Sequence, residues 1–155
     1  MKDETWEETS RRLERELLDL PPEALGGFLR RERAHMLTGP NPFGDYFRQK
    51  LRQRGMLQQN VFLGADLSEN YGYKIVSGEK RTRRRDVILR LCFAARFGPE
   101  EVREALTLYG MAPLHPRLAR DAALLSACRN GVWEPEAVNR LLAEHGLPPL
   151  VPGYE

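Results

Sequence analysis

Five basic side chains, Lys80, Arg81, Arg83, Arg84 and Arg85, fall within six consecutive positions. Clustered guanidinium and ammonium groups suit one chemistry above others, the neutralisation of phosphates along a polyanion. Just before them, Glu69, Asn70, Tyr73 and Lys74 repeat at helical spacing. Short polar and aromatic side chains in that pattern suit hydrogen bonds and apolar contacts with base edges. A charge run alone is most often a solvated face; its place directly after a candidate reading helix is what favours phosphate. Catalytic chemistry lacks its residues. No nucleophile–base–orienter set, paired carboxylate or phosphate-cradling glycine loop is present, so the chain does not read as an enzyme. His35, His115 and His145 lie far apart and read as structural. Cys92 and Cys128 sit in apolar helical patterns and read as small buried hydrophobes. Without a CxxC or Cys/His pairing, no metal and no cofactor is expected.

A helix that reads DNA has to be short, exposed along one side and braced by a second helix at a steep angle. The stretch from Gln58 to Arg85 supplies such a pair. The first helix is expected over Gln58–Ala65 and the second over Ser68–Ser77, with Ser68 as N-cap and Gly78 as stop. Leu63, Leu67, Ile75 and Val76 are the expected inward contacts. Tyr71 and Tyr73 suit stacking on bases or contact with a thymine methyl; the alternative is that one of them packs over Gly72, which is favoured for Tyr71. Glu69, Asn70, Tyr73 and Lys74 point outward, and residues 79–85 return along the phosphate backbone.

The rest of the chain reads as helical support. Trp6, Leu13, Leu17 and Leu20 make a narrow apolar stripe on a helix over residues 3–20, ended by Pro21-Pro22. A second helix comes next, weakened by Gly26-Gly27 and expected to begin properly after them. Gly39-Pro40-Asn41-Pro42 separates this arm from the main domain, with Asn41 as a cap for a helix over 42–54. That helix buries Phe43, Phe47 and Leu51 and leaves Arg48, Lys50, Arg52 and Arg54 outside. Further helices are expected over 83–97, closed by a left-handed Gly98, then from Pro99 to Gly110, over 116–130, and from Pro135 to about His145. No segment alternates for long enough to make a strand. The fold class is all-α, with a domain over 41–110 between an N-terminal arm, 1–40, and a C-terminal helical extension, 111–155.

Length and charge agree with this division. The 155 residues are 41% apolar and 30% charged, with a net charge of only +2. Residues 43–98 hold 12 Lys and Arg against 5 Asp and Glu, whereas the flanks are mildly acidic. A basic island of that kind suits a polyanion partner. No apolar run is long enough to span a bilayer, and the basic run lacks an amphipathic apolar companion, so no membrane partner is expected. The acidic N-terminus lacks the apolar core of a signal peptide, which points to a cytoplasmic protein.

Residues 43–108 resemble the five-helix DNA-binding domain of the lambda/434 repressor family, the XRE or Cro/C1-type helix-turn-helix. The resemblance rests on Gln58 opening the first motif helix, Ile75 late in the second, and Ser77-Gly78-Glu79-Lys80. It continues through the Arg85-Asp86-Val87-Ile88-Leu89-Arg90-Leu91 helix and Phe97-Gly98-Pro99-Glu100-Glu101. It implies that the second helix enters the major groove of double-stranded DNA. Carried over, the contacts fall on Gln58, Glu69, Asn70 and Lys74, and on Lys80, Arg81 and Arg83 at the phosphate backbone; Gln59, Ser68, Tyr73, Arg84 and Arg85 complete the expected DNA-binding set. It implies a two-fold assembly as well, in which Trp6, Leu13 and Leu17 or the C-terminal helices join a homodimer or another protein. Three positions depart from the pattern. Phe62 stands where a small residue is usual, Asp66 where glycine is usual, and Gly72 where a β-branched residue is usual. The large residue and the missing side chain are expected to compensate by volume. A transcriptional regulator is the expected function. The alternative is a helix-turn-helix used as a protein-interaction scaffold or an accessory subunit of a larger defence or enzyme complex.

Overall fold

A computed structural model describes residues 4–153, and among them all regular structure is helical. Expectations touching residues 1–3 and 154–155 lie outside the described residues. The chain divides into two compact units, Met1–Gly39 and Pro40–Glu155. The segment from 111 onward therefore belongs to the same unit as the motif helices.

In the first unit, α1 spans Trp6–Asp19 and α2 spans Leu25–Arg31. Thr5 starts α1 with a capping box, its hydroxyl accepting from Glu8 N–H while Glu8 accepts from Thr5 N–H. The glycine pair does not delay α2, because a 3-10 turn over Pro22–Ala24 has already set the helical direction. Among the described residues of this unit Phe28 is the buried apolar one. Around it Arg12 bridges Glu32 at 3.0 Å and Glu4 at 3.2 Å, and Arg31 pairs with Glu16. In the apolar stripe Trp6 and Leu13 are half-buried and Leu17 is exposed.

The second unit holds α3 (Pro42–Arg54), α4 (Gln58–Gly64), α5 (Glu69–Ser77), α6 (Arg85–Ala94), α7 (Pro99–Tyr109), α8 (Ala119–Arg129) and α9 (Pro135–Glu144). Helix α6 is central: eight of its ten residues are buried, Asp86 through Phe93, a pattern for a helix surrounded by others. It packs on α4 and α7, while α3 packs on α5 and α7, α4 on α5, and α8 on α7 and α9. Phe43, Phe47, Phe97 and Tyr109 form an aromatic cluster between α3 and α7, with centroids 5.3 to 5.8 Å apart.

Three local expectations change. The left-handed residue ending α6 is Arg96 (φ 60°), and Gly98 is extended. The N–H groups of Arg96 and Phe97 close back on Phe93 and Cys92, so the chain reverses early enough to drive Phe97 into the core. Lys50, expected outside, is buried, with its ammonium 3.5 Å from Glu101 and over the Tyr46 ring. Its stem covers apolar surface while the charge finds a carboxylate. Helix α8 begins at Ala119, since Pro116 and Arg117 are spent on a turn.

Candidate nucleic-acid interface

Helices α4 and α5 meet where one residue is large and the other has no side chain. A Cβ placed on Gly72 would stand 2.5 Å from Cδ1 and 2.7 Å from Cδ2 of Phe62, and closer still to Cγ. The volume compensation expected from the sequence is therefore direct: the Phe62 ring lies on the α5 backbone, fully buried. Between the helices, Asp66 takes the left-handed conformation (φ 61°), and the N–H groups of Asp66 and Leu67 bond the carbonyls of Leu63 and Phe62 at 3.0 Å. This reversal tolerates an Asp better than most residues with a Cβ. Leu63 does not point inward; it is 77% exposed, and Val61, Phe62 and Ala65 take the inner positions.

Helix α5 is tied at both ends. Ser68 Oγ accepts from Tyr71 N–H at 3.1 Å. At the other end Asn41 Nδ2 donates to the Val76 carbonyl at 2.7 Å and Arg48 donates to the same oxygen at 3.1 Å. Asn41 precedes α3, yet its side chain makes no cap there and serves the end of α5 instead. Gly44 permits this approach, because a Cβ there would strike the Val76 carbonyl oxygen. Gly78 (φ 86°) then ends the helix.

What α5 leaves outside is a continuous stripe. Glu69, Asn70 and Tyr73 are exposed and Lys74 is half-exposed; Gln59 is exposed and Gln58 half-buried at the start of α4. The side chains of Gln58, Gln59, Glu69, Asn70 and Lys74 make no hydrogen bond or ion pair with a described residue. Tyr73 rests edge-on against Phe62, centroids 5.0 Å apart. Tyr71, by contrast, is buried and carries Lys80 Nζ 5.6 Å above its ring.

The basic run does not act as one surface. Arg81 stacks over Tyr109, 4.3 Å from the ring centroid, and donates to the Tyr109 carbonyl at 2.8 Å. Tyr109 Oη accepts from Thr82 N–H at 2.8 Å. Arg83 is exposed and makes no side-chain hydrogen bond or ion pair with a described residue. These residues line a cleft with Gly110 and Met111. Arg84 turns away and reaches the Pro152 carbonyl at 3.4 Å. Arg85 donates to Asp121, which is 2% exposed, and to the Ala112 carbonyl.

That last contact is half of an exchange. Arg85-Asp86 on α6 and Arg120-Asp121 on α8 trade charges: Arg85 pairs with Asp121, and Arg120 holds both oxygens of Asp86 at 2.8 and 2.9 Å. Asp86 Oδ2 also accepts from Val151 N–H at 2.9 Å, and Asp121 from His115 N–H at 2.9 Å. Burial opposes ionisation of Asp86, but the bonds from Arg120 and Val151, with the charges of Arg120 and Arg85, overcome it and hold the carboxyl below its ordinary pKa. Buried Arg90 donates to the Val151 carbonyl at 2.6 Å and the Leu150 carbonyl at 3.3 Å, and Asn139 accepts from Leu150 N–H at 2.9 Å. The C-terminal strap so held brings Gly153 against the α4–α5 turn, where a Cβ would press on the Asp66 carbonyl and Leu67.

Sequence reasoning missed this exchange, although the repeated Arg-Asp dipeptide was its one visible trace. It also missed Asn41 as the partner of α5. Cys92 and Cys128 are free and buried as expected, and burial raises both thiols, Cys128 to about 11. No cluster of three or more His, Cys, Asp or Glu side chains able to hold a metal occurs among the described residues. Among the described residues no helix is long and apolar enough to cross a membrane. No protein-family model, no curated protein and no solved structure matches this chain.

Proposed function

We propose that residues 43–108 act as a repressor-like helix-turn-helix and that the protein is a sequence-specific DNA-binding protein, a transcriptional regulator. In this reading α5 enters the major groove, while Lys80 and Arg83 meet phosphates. The observation that carries it is the outward stripe of α5. Asn70 and Lys74 have no side-chain partner among the described residues, on a helix braced by Phe62 and fixed at both ends. Preorganised polar side chains without partners suit groove recognition. Arg81, Arg84 and Arg85 drop out as main phosphate contacts, because their guanidinium groups serve Tyr109, the strap and Asp121. The test is binding of a labelled random-sequence duplex to wild type and to Lys74→Ala/Arg83→Ala. Weakened binding by the variant supports the reading, and equal binding opposes it.

A second reading, a protein-interaction scaffold, is favoured by Leu63 and by Leu57, which is 62% exposed, both at α4. Apolar side chains beside the reading helix suit a protein partner better than a phosphate backbone. Leu57→Ser/Leu63→Ser leaves DNA affinity unchanged under the first reading and abolishes partner capture under the second.

A further inference from the structure

Within the α5 stripe one side chain differs from its neighbours in kind. Tyr73 keeps 42% of its surface exposed, and its hydroxyl makes no hydrogen bond with a described residue. Yet its ring is supported, edge-on to Phe62 with the two planes at 80°. Phe62 cannot yield, since it is fully buried with its own ring against the backbone of Gly72. A ring held in solvent by a buried ring is a preorganised apolar contact whose ordering cost is met during folding. Asn70 and Lys74 offer only polar or charged ends beside it.

The chemistry of the major groove narrows what such a ring can meet. In a stacked duplex each base face is covered by its neighbours, so an aromatic side chain entering the groove reaches edges. The apolar group on those edges is the thymine 5-methyl. We propose that Tyr73 is a specificity-determining residue and reads thymine through that methyl group. The inference rests on the DNA-binding reading above and names the base it selects. The ring makes the contact, and the hydroxyl stays in water.

The test uses the full chain and duplexes enriched by it from a random-sequence library. The tightest duplex is resynthesised with deoxyuridine in place of thymine, one position at a time. At the position Tyr73 touches, loss of the methyl weakens binding about four-fold, the worth of one buried methyl-sized group (~0.8 kcal/mol). Tyr73→Phe keeps that discrimination. Tyr73→Ala binds the two duplexes alike, with an unchanged dependence on salt. Indifference of the wild type to uracil at every position overturns the proposal. So does thymine preference surviving in Tyr73→Ala, or lost in Tyr73→Phe, the latter assigning the contact to the hydroxyl. Failure to enrich any duplex, without salt-dependent binding to random sequence, overturns the DNA-binding reading along with it.

Discussion

The ring of Phe62 occupies the space that a side chain at position 72 would need. Glycine inside a helix ordinarily loses about 1 kcal/mol to alanine. Here the order reverses, because even one added methyl meets a buried ring. Gly72→Ala is expected to lower the melting temperature, and Phe62→Ala to cost about 3–5 kcal/mol. Phe62→Ala/Gly72→Val should lose less than the sum of its single changes, by about 1 kcal/mol or more. Denaturant melts of the three variants check this, and strict additivity would contradict the packing.

Asp121 lies buried under Arg85, so its removal leaves the His115 N–H without its acceptor and Arg85 with the Ala112 carbonyl alone. Asp121→Ala is expected to cost about 1–3 kcal/mol, the range for a buried donor left without its partner. Restoring charge neutrality with Arg85→Met/Asp121→Leu should recover most of it. Chemical denaturation of the single and double variants is the check.

Asp86 adds a pH dependence whose sign comes from its lowered pKa. The ionised form is favoured in the folded state, so its stabilisation is fully present above the unfolded carboxylate value, about 3.9. It is lost as pH falls below that through the folded value. Wild type should therefore lose stability over that acid window more steeply than Asp86→Asn, which starts lower at neutral pH. Parallel acid melts of the two proteins would contradict the assignment.

Asn41 ties the end of α5 from a distance of 35 residues in sequence. Asn41→Ala leaves the Val76 carbonyl with Arg48 alone, while Ile75 keeps the Gly78 N–H, and is expected to cost about 1 kcal/mol. Amide exchange should rise first at the C-terminal turn of α5. Unchanged protection there would show that Arg48 alone suffices.

Much of this architecture is legible in the sequence because it is local. Pro at the first position of α3, α7 and α9, Ser68 as a cap and Gly78 and Gly110 as left-handed stops are each set by a few neighbouring residues. The Phe62–Gly72 contact was also readable, as paired departures from a familiar size pattern. What stayed hidden depends on partners far along the chain. Arg85 looks like its neighbours Arg83 and Arg84 until α8 places Asp121 beneath it. Lys50 looks solvent-facing, and Asn41 looks like the cap of α3, until α7 and α5 supply their partners. A charge run in sequence records how many cations are present, and the tertiary fold decides how many remain available.

The salt dependence of binding to random genomic duplex tests the central claim most directly. Each phosphate contact contributes a slope of about −0.9 in log affinity against log salt. Wild type is expected to bind at low salt with a slope of several units. Arg83→Ala should flatten it by about one contact, and Arg84→Ala should leave it nearly unchanged. No binding at low salt, or a slope indifferent to Arg83, would contradict the account.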